Sequence, residues 1–244
     1  MSKKLKPFFG RIGTKRRIKN EILKRMPYHN TYVEPFVGGG AILLAKEPSE
    51  YEIINDIDSE LMENYRLLKD IKDVKNADIN PLDLKQLNEY YADNTKVSDS
   101  DKLIKYILKS CNTFGCLGTG KLYINRNYEK KTKNIPLYQK RLKNVKMFNI
   151  SYEEIIKEYD NEDTFFFLDP PYENSNKLYK HDTINYVKLK EIVKNIKGHF
   201  LLTLNDSPSN RELFKDFNIE CFKINGLGNV VGEGIRYELF IKNY

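Results

Sequence analysis

The order of apolar and polar positions predicts strands and helices that alternate along most of the chain. Short apolar runs bounded by turn residues are typical of buried strands, whereas apolar residues three and four apart are typical of helices. The last two strand-like runs flank a glycine-rich loop and are expected to pair antiparallel. The predicted strands are a run that begins at Thr31 and the segments 51–56, 164–168, 199–205, 219–224 and 236–241. The predicted helices are 14–25, one after Gly40, 59–70, 81–92, 99–111, 152–159, 185–196 and 209–216.

The alternating pattern is interrupted in the middle of the chain, between about residues 71 and 148. This stretch contains two helical patterns and then a segment rich in glycine, asparagine, lysine and aromatic residues without a clear period. We therefore predict one α/β domain formed by residues 1–70 and 149–244, whose sheet ends in an antiparallel strand. Residues 71–148 are predicted to be a mainly helical insertion.

Composition narrows the class of protein. Of the 244 residues, 40% are hydrophobic and 31% are charged, which is the balance of a globular domain. No run approaches the roughly 20 apolar residues that cross a bilayer, and no apolar signal core follows the basic start. We therefore expect a cytoplasmic protein with no membrane partner. Three separated cysteines and three scattered histidines predict reduced thiols and no metal site.

The net charge of +7 and the pI near 9.0 favour a polyanionic partner, most often a nucleic acid. A lysine-rich composition alone would give the same charge, so the charge supports this partner without establishing it. The end of the insertion combines basic, amide and aromatic side chains that suit phosphates, base edges and stacking. A flexible surface loop is the alternative. The predicted nucleic-acid contacts are Lys121, Tyr123, Asn125, Arg126 and Lys130.

Glycines follow the first strand, and an acid follows the second. Gly38 to Gly40 let a ligand approach the backbone closely, and Asp56 could accept both hydroxyls of a ribose. Asp56 could instead cap the helix near Ser59. Lys15, after a glycine-containing loop, could bind an anion or simply be solvated. This combination predicts an adenosine-containing cofactor without separating S-adenosylmethionine from NAD.

The segment Asp169-Pro170-Pro171-Tyr172 follows a predicted strand of bulky apolar residues. An ionised carboxylate at Asp169 and the carbonyl of Pro170 provide two acceptors in a stiff segment. Together they could hold both hydrogens of an exocyclic amine on a base, while Tyr172 stacks on the base. This arrangement suits methylation of that nitrogen. A simple turn after a strand is the alternative.

Four stretches occur in the order found in the Dam-type (D12, α-group) DNA adenine-N6 methyltransferases, and the chain resembles that family over most of its length. The resemblance implies a Rossmann-like methyltransferase sheet, S-adenosylmethionine as the methyl donor and a target-recognition role for the insertion. The stretches are Gly13-Thr14-Lys15, Val33-Glu34-Pro35-Phe36-Val37-Gly38-Gly39-Gly40, Asn55-Asp56-Ile57-Asp58-Ser59 and Asp169-Pro170-Pro171-Tyr172.

The resemblance also implies roles for individual residues. Asp169, Pro170 and Tyr172 are expected to be catalytic. The family usually carries an aromatic residue four positions before the motif lysine; Arg11 stands there, and Phe8 or Phe9 is expected to supply the ring. The expected cofactor-binding residues are Arg11, Lys15, Phe36, Gly38, Gly40, Asp56 and Asp169.

We therefore predict a site-specific DNA adenine-N6 methyltransferase that acts on a flipped adenine. Three alternatives stay open at this point: a cytosine-N4 enzyme, an RNA methyltransferase and a catalytically idle DNA-binding relative. An NAD-dependent dehydrogenase is disfavoured because the GxGxxG pattern is absent. The expected partner is double-stranded DNA, the expected state is a monomer or weak dimer, and a restriction endonuclease counterpart is suggested by the family.

Overall fold

The computed structural model describes residues 5–72, 89, 98–111, 113, 116, 131–172, 184–224 and 236–244. Within these residues, seven strands form one sheet in the order β3-β2-β1-β4-β5-β7-β6. Strands β2, β1, β4 and β5 run parallel, and β7 lies antiparallel to both β5 and β6. This topology confirms the predicted Rossmann-like sheet with an antiparallel end. The strands are β1 (Thr31–Glu34), β2 (Tyr51–Asn55), β3 (Lys146–Phe148), β4 (Thr164–Leu168), β5 (His199–Asn205), β6 (Asn218–Ile224) and β7 (Arg236–Lys242).

The central strands are apolar because parallel strands are covered on both faces. All five residues of β4 are buried, and Phe165, Phe166 and Phe167 have at most 1% of their surface exposed. Each buried phenylalanine contributes about 1.5–3 kcal/mol relative to an exposed one. This core places the end of β4, and the segment after it, at a rigid position.

The helices agree with the predicted pattern in most places. Local capping explains several helix starts: Ser151 and Glu154 form a capping box, and the side chain of Asn185 accepts a hydrogen bond from the Lys188 amide. The helices are α1 (Lys19–Lys24), α2 (Ser59–Asp70), α3 (Asp99–Cys111), α4 (Ile135–Leu142), α5 (Tyr152–Tyr159), α6 (Tyr186–Lys194) and α7 (Pro208–Leu213).

Two predicted helices are wrong. The segment 14–25 divides into a 3-10 turn at Lys15–Arg17 and the short helix α1. Thr14 does not cap a helix, because its hydroxyl donates to the Arg11 carbonyl at 2.6 Å. After Gly40 the chain forms successive turns rather than a continuous helix. The short strand β3 and the helix α4 were not predicted, whereas the segment 81–92 lies outside the described residues apart from residue 89.

The chain divides into two compact units. The first contains α2, α3 and α4, with α2 packed against the other two helices. The second contains β1, β2 and β4 to β7. The first unit comprises Met1–Arg16, Gly38–Lys46 and Asp58–Met147, and the second comprises Arg17–Val37, Glu47–Ile57 and Phe148–Tyr244. The assignment of residues 1–70 and 149–244 to catalysis, and of 71–148 to target recognition, concerns function and stays a prediction.

The described residues contain neither a membrane-spanning helix nor a cluster of metal ligands. None of the helices there has the length and apolar character needed to cross a membrane. No group of three or more histidine, cysteine, aspartate or glutamate side chains in the same ranges is arranged to hold a metal ion. Cys111, Cys116 and Cys221 are free thiols.

Candidate active site

Asp169 follows the carboxyl end of β4 in the second unit and is partly buried. The hydroxyl of Thr203, on the neighbouring strand β5, donates to Asp169 Oδ1 at 3.0 Å. The two strands are in parallel register, with Leu168 opposite Leu202, which places Thr203 directly beside the end of β4. One oxygen of the carboxylate is therefore held by a side chain that is completely buried.

The two prolines that follow are in different environments. The hydroxyl of Tyr186, the first residue of α6, donates to the Pro171 carbonyl at 2.9 Å. Among the residues that the structure describes, no donor reaches the carbonyl of Pro170. The Pro170 carbonyl is thus the acceptor of this pair that could receive a hydrogen from a substrate.

Tyr172 is anchored through its hydroxyl. That hydroxyl donates to Oε1 of Glu238 on β7, and only 7% of the Glu238 surface is exposed. Burial, together with the negative charges of Asp169 and Glu238, raises the pKa of Tyr172 well above its usual value. The phenol therefore stays protonated and acts as a donor. Its ring packs partly buried against the core of the second unit.

Three neighbouring strands place predicted site residues at the same edge of the sheet. Strands β2, β1 and β4 are parallel, and they are followed by Asp56, Phe36 and Asp169 respectively. Because the carboxyl ends of parallel strands meet at one edge, the residues that follow them are brought together although they are far apart in sequence. This edge is where open α/β sheets bind their ligands.

Asn55 connects the backbone segments of this edge. Its side-chain amide donates to the carbonyls of Pro35 and Ile150 at 3.1 and 3.0 Å, and its Oδ1 accepts from the Ile150 amide at 3.0 Å. Its own carbonyl accepts from the Val37 amide at 2.9 Å. Sequence reasoning missed Asn55. The available signal was an amide side chain at the end of an otherwise apolar strand.

Asp56 is partly buried, and its carbonyl accepts a hydrogen bond from the Asn149 side chain at 2.8 Å. The alternative that Asp56 caps the following helix is wrong. The cap of α2 is Asp58, whose carboxylate accepts from the Leu61 amide at 3.1 Å. Asp56 itself directly follows β2.

Phe36 follows β1 and is partly buried. Its ring centroid lies 5.2 Å from that of Tyr152, with the rings tilted by 35°. Burial and the neighbouring Glu153 raise the pKa of Tyr152 to about 12. The Phe36 ring therefore packs beside a neutral aromatic side chain.

The glycine turn belongs to the first unit. Gly38 and Gly40 have φ angles of +47° and +65°. Residues other than glycine rarely adopt such backbone angles. The Tyr65 hydroxyl donates to the Gly38 carbonyl at 2.9 Å, and a Cβ on Gly40 would lie 2.7 Å from that hydroxyl. A Cβ on Gly38 would have no neighbour within 4 Å in the described structure. The turn is thus close-packed at Gly40 and open at Gly38.

Lys15 and Arg11 also lie in the first unit. Only 7% of Lys15 is exposed, and its ammonium group donates to the Gly13 carbonyl at 3.3 Å. The alternative of a freely solvated lysine therefore does not describe Lys15. Arg11 forms an ion pair with Asp58, the cap of α2.

The expectation that Phe8 or Phe9 supplies a ring for the cofactor is wrong. Both side chains are fully buried in the first unit. Phe8 packs edge-on against Tyr138, and Phe9 packs edge-on against Tyr65 and Tyr106, with centroids 4.7 to 5.1 Å apart. These rings are enclosed by other aromatic side chains and present no face to a ligand.

The five predicted nucleic-acid contacts, Lys121, Tyr123, Asn125, Arg126 and Lys130, lie outside the described residues.

Comparison with known proteins agrees with the motifs. The model of the D12 class N6 adenine-specific DNA methyltransferase family matches residues 12–223. The chain is 29% identical to the Type II methyltransferase M1.LlaDCHI of Lactococcus lactis subsp. cremoris, over 98% of this chain and 96% of that protein. It is 27% identical to the Type II methyltransferase M.MjaIII of Methanocaldococcus jannaschii, over 98% and 99%.

A third relative is viral. The Type II methyltransferase M.CviBI of Paramecium bursaria Chlorella virus NC1A is 25% identical over 88% of this chain and 90% of that protein. The family match favours adenine in DNA over the cytosine and RNA alternatives. The sheet topology, the Asp169 to Tyr172 segment and the length of the match lead to one conclusion: this chain belongs to the D12 class of N6 adenine-specific DNA methyltransferases.

Proposed function

We propose that this enzyme transfers the methyl group of S-adenosylmethionine to the N6 nitrogen of an adenine flipped out of double-stranded DNA, with Asp169 and Pro170 as the groups that hold the amine. The observation that carries this proposal is the environment of the Asp169 segment. Thr203 holds one carboxylate oxygen, Tyr186 holds the Pro171 carbonyl, and Glu238 holds the Tyr172 hydroxyl. Preorganised acceptors of this kind lose little entropy when the substrate binds.

The residues present fit an adenosine-containing cofactor. Asp56, with its carboxylate directly after β2, is suited to accept hydrogen bonds from ribose hydroxyls. The open space at Gly38 lets a ligand approach the backbone. We assign Lys15, Phe36, Gly38, Gly40, Asp56 and Asp169 to cofactor binding. Arg11 stays a predicted cofactor contact, although its ion pair with Asp58 gives it a further role at the start of α2.

S-adenosylmethionine, when bound, supplies a methyl group on a positively charged sulfur. The chain must make the adenine amine a better nucleophile, because its lone pair is delocalised into the ring. Asp169 and the Pro170 carbonyl each accept one N–H hydrogen, which favours a pyramidal nitrogen whose lone pair faces the methyl carbon. On transfer, the nitrogen would gain the methyl group, the donor would leave as a neutral thioether, and the methylated amine would then release one proton to water. Asp169 is not required to remove a proton before attack.

Tyr172 is assigned to stacking on the flipped base. Its hydroxyl is anchored on Glu238, which limits how far the side chain can swing away from the site. Aromatic stacking is a usual way to hold an extruded base, whose removal from the duplex costs a few kcal/mol.

DNA binding is assigned to the insertion, through Lys121, Tyr123, Asn125, Arg126 and Lys130. The net charge of +7 supports contact with phosphates. The names of the relatives include Type II methyltransferases, which supports a restriction endonuclease counterpart. The monomeric or weakly dimeric state and the cytoplasmic location stay predictions.

Substitution of Asp169 tests the proposal. Asp169→Ala should lower the methyl-transfer rate by about 10²–10³-fold or more, the usual effect of losing one preorganised electrostatic group. DNA affinity and folding should be retained, because the side chain lies at the end of a strand and only partly inside the core. The rate is measured with labelled methyl donor, and the modified nucleoside is identified by mass spectrometry. Full activity of the variant would exclude Asp169 from catalysis.

A further inference from the structure

Thr203 is a polar residue in the most buried part of the sheet. It lies in the middle of β5, with Leu201, Leu202 and Leu204 as its apolar neighbours, and none of its surface is exposed. A valine at this position would pack equally well, since strands favour β-branched side chains. The hydroxyl therefore requires an explanation beyond packing.

The hydrogen bonds of Thr203 supply this explanation. A hydroxyl has a single hydrogen to donate, and the Thr203 hydroxyl has two acceptors within reach. Asp169 Oδ1 lies at 3.0 Å and the Leu168 carbonyl at 3.4 Å. The carboxylate is the closer acceptor, and a hydrogen bond to an ionised group is the stronger one. The geometry therefore favours donation to Asp169.

This bond has a directional consequence. A carboxylate can turn about two side-chain torsions, and the proline that follows Asp169 stiffens only the backbone. When Oδ1 is held against β5, the position of Oδ2 is determined by the geometry of the carboxylate. Pro171 and Tyr172 are held independently, by Tyr186 and Glu238 respectively.

We propose that Thr203 is a positioning residue for methyl transfer, whose hydroxyl holds one oxygen of Asp169 so that the other meets the adenine amine. This inference rests on the catalytic role of Asp169 proposed above. Thr203 acts through Asp169 and does not itself touch the substrate. The competing explanation is purely structural: the hydroxyl only joins β5 to the end of β4.

The test compares Thr203→Val with Thr203→Ser. Valine keeps the shape and removes the donor, so the single-turnover methyl-transfer rate should fall roughly 10- to 100-fold, the range expected for a hydrogen bond to a charged group. The dissociation constant for DNA should stay within about twofold, because Thr203 is fully buried and acts only through Asp169. Serine keeps the donor and should restore most of the rate.

Thr164→Val is the matched control. Thr164 is also a threonine of this sheet, with 1% of its surface exposed, and its hydroxyl donates to the Tyr159 carbonyl at 2.7 Å. It begins β4, whereas Asp169 follows the end of that strand. Thr164→Val should therefore lower the free energy of unfolding without lowering the methyl-transfer rate.

The outcomes separate this inference from the proposed function. If Asp169→Ala retains full activity, the catalytic role of Asp169 is wrong, and the inference is overturned with it. If Asp169→Ala is inactive and Thr203→Val transfers methyl at the wild-type rate, only the inference is overturned. A Thr203→Ser variant as slow as Thr203→Val, or a Thr164→Val variant that loses as much rate, also overturns it. A rate loss specific to Thr203→Val, with rescue by serine, supports it.

Discussion

At the scale of single residues, the observed contact of the Tyr172 hydroxyl and the proposed role of its ring can be separated by substitution. Its ring is assigned to the flipped base, whereas its hydroxyl is bonded to the buried carboxylate of Glu238. A buried carboxylate that loses a donor is costly, because the lost hydrogen bond is not replaced by water. The hydroxyl is therefore expected to matter for stability and the ring for catalysis.

Tyr172→Phe tests this separation. The free energy of unfolding should fall by about 1–3 kcal/mol, because Glu238 loses a hydrogen bond. The methyl-transfer rate should stay within about tenfold of wild type, since the ring remains to stack. Tyr172→Ala should be far slower. Chemical denaturation and single-turnover kinetics measure the two effects.

Tyr237→Phe is the control for Tyr172→Phe. Tyr237 precedes Glu238 on β7 but is 47% exposed, so loss of its hydroxyl should leave both stability and rate nearly unchanged. Equal rate losses for Tyr172→Phe and Tyr172→Ala would contradict the assignment of the ring.

At the scale of elements, the turn after β1 depends on contacts between backbone and side chain. Gly40 has φ +65°, and Tyr65 on α2 occupies the space that a Cβ at Gly40 would need. The same tyrosine donates to the Gly38 carbonyl. The helix α2 therefore supports the glycine turn within the first unit.

A residue other than glycine in the left-handed conformation costs about 1–3 kcal/mol of stability. Gly40→Ala should lower the free energy of unfolding by more than this, because the new methyl group also meets the Tyr65 hydroxyl. Adding Tyr65→Phe removes this contact. The double variant should therefore be more stable than Gly40→Ala alone, even though Tyr65→Phe by itself is destabilising. Thermal and urea unfolding of the four proteins measure the coupling.

Gly38→Ala provides the contrast, because its Cβ would meet nothing within 4 Å among the described residues. Tyr65→Phe should further destabilise this variant instead of rescuing it. Absence of rescue at Gly40 would show that the contact with Tyr65 is not the cause of its glycine requirement.

At the scale of the whole molecule, the excess of 41 basic over 34 acidic residues gives the net charge of +7. Each phosphate contact contributes about 0.9 to the slope of log affinity against log salt concentration. The predicted basic contacts in the insertion should therefore contribute to this slope in proportion to the number of phosphates that they neutralise.

Replacing Lys121, Arg126 and Lys130 together by alanine should reduce the slope by about 2–3 and weaken DNA binding at moderate salt. A control variant replaces Lys157, Lys194 and Lys197, which are exposed on the second unit and outside the insertion. It removes the same charge and should leave the slope close to wild type. Fluorescence anisotropy between low and moderate salt measures both. Equal slope changes in the two variants would refute a DNA-contact role for these insertion residues.

Local sequence determined much of this fold and part of its site. Parallel strands buried on both faces require continuous apolar runs, so β4 and β5 were predictable from Thr164–Leu168 and His199–Asn205. The Asp169 to Tyr172 segment was predictable because two prolines end a strand wherever they occur. The short strand β3 and the helix α4 were not, because three residues carry no period and α4 lies in a region whose pattern is weak.

Only the tertiary structure decided which side chains support the site. Thr203 is 34 residues from Asp169, and Glu238 is 66 residues from Tyr172; strand pairing brings each pair together, and no local pattern encodes that pairing. The burial of Phe8 and Phe9 is likewise not encoded in any local pattern. Two adjacent aromatic residues in a glycine-containing segment are compatible with ligand binding or with burial, and the aromatic side chains of α2, α3 and α4 enclose them. Local sequence thus determined which groups are proposed to carry the chemistry, and long-range packing decided how Asp169 and Tyr172 are held.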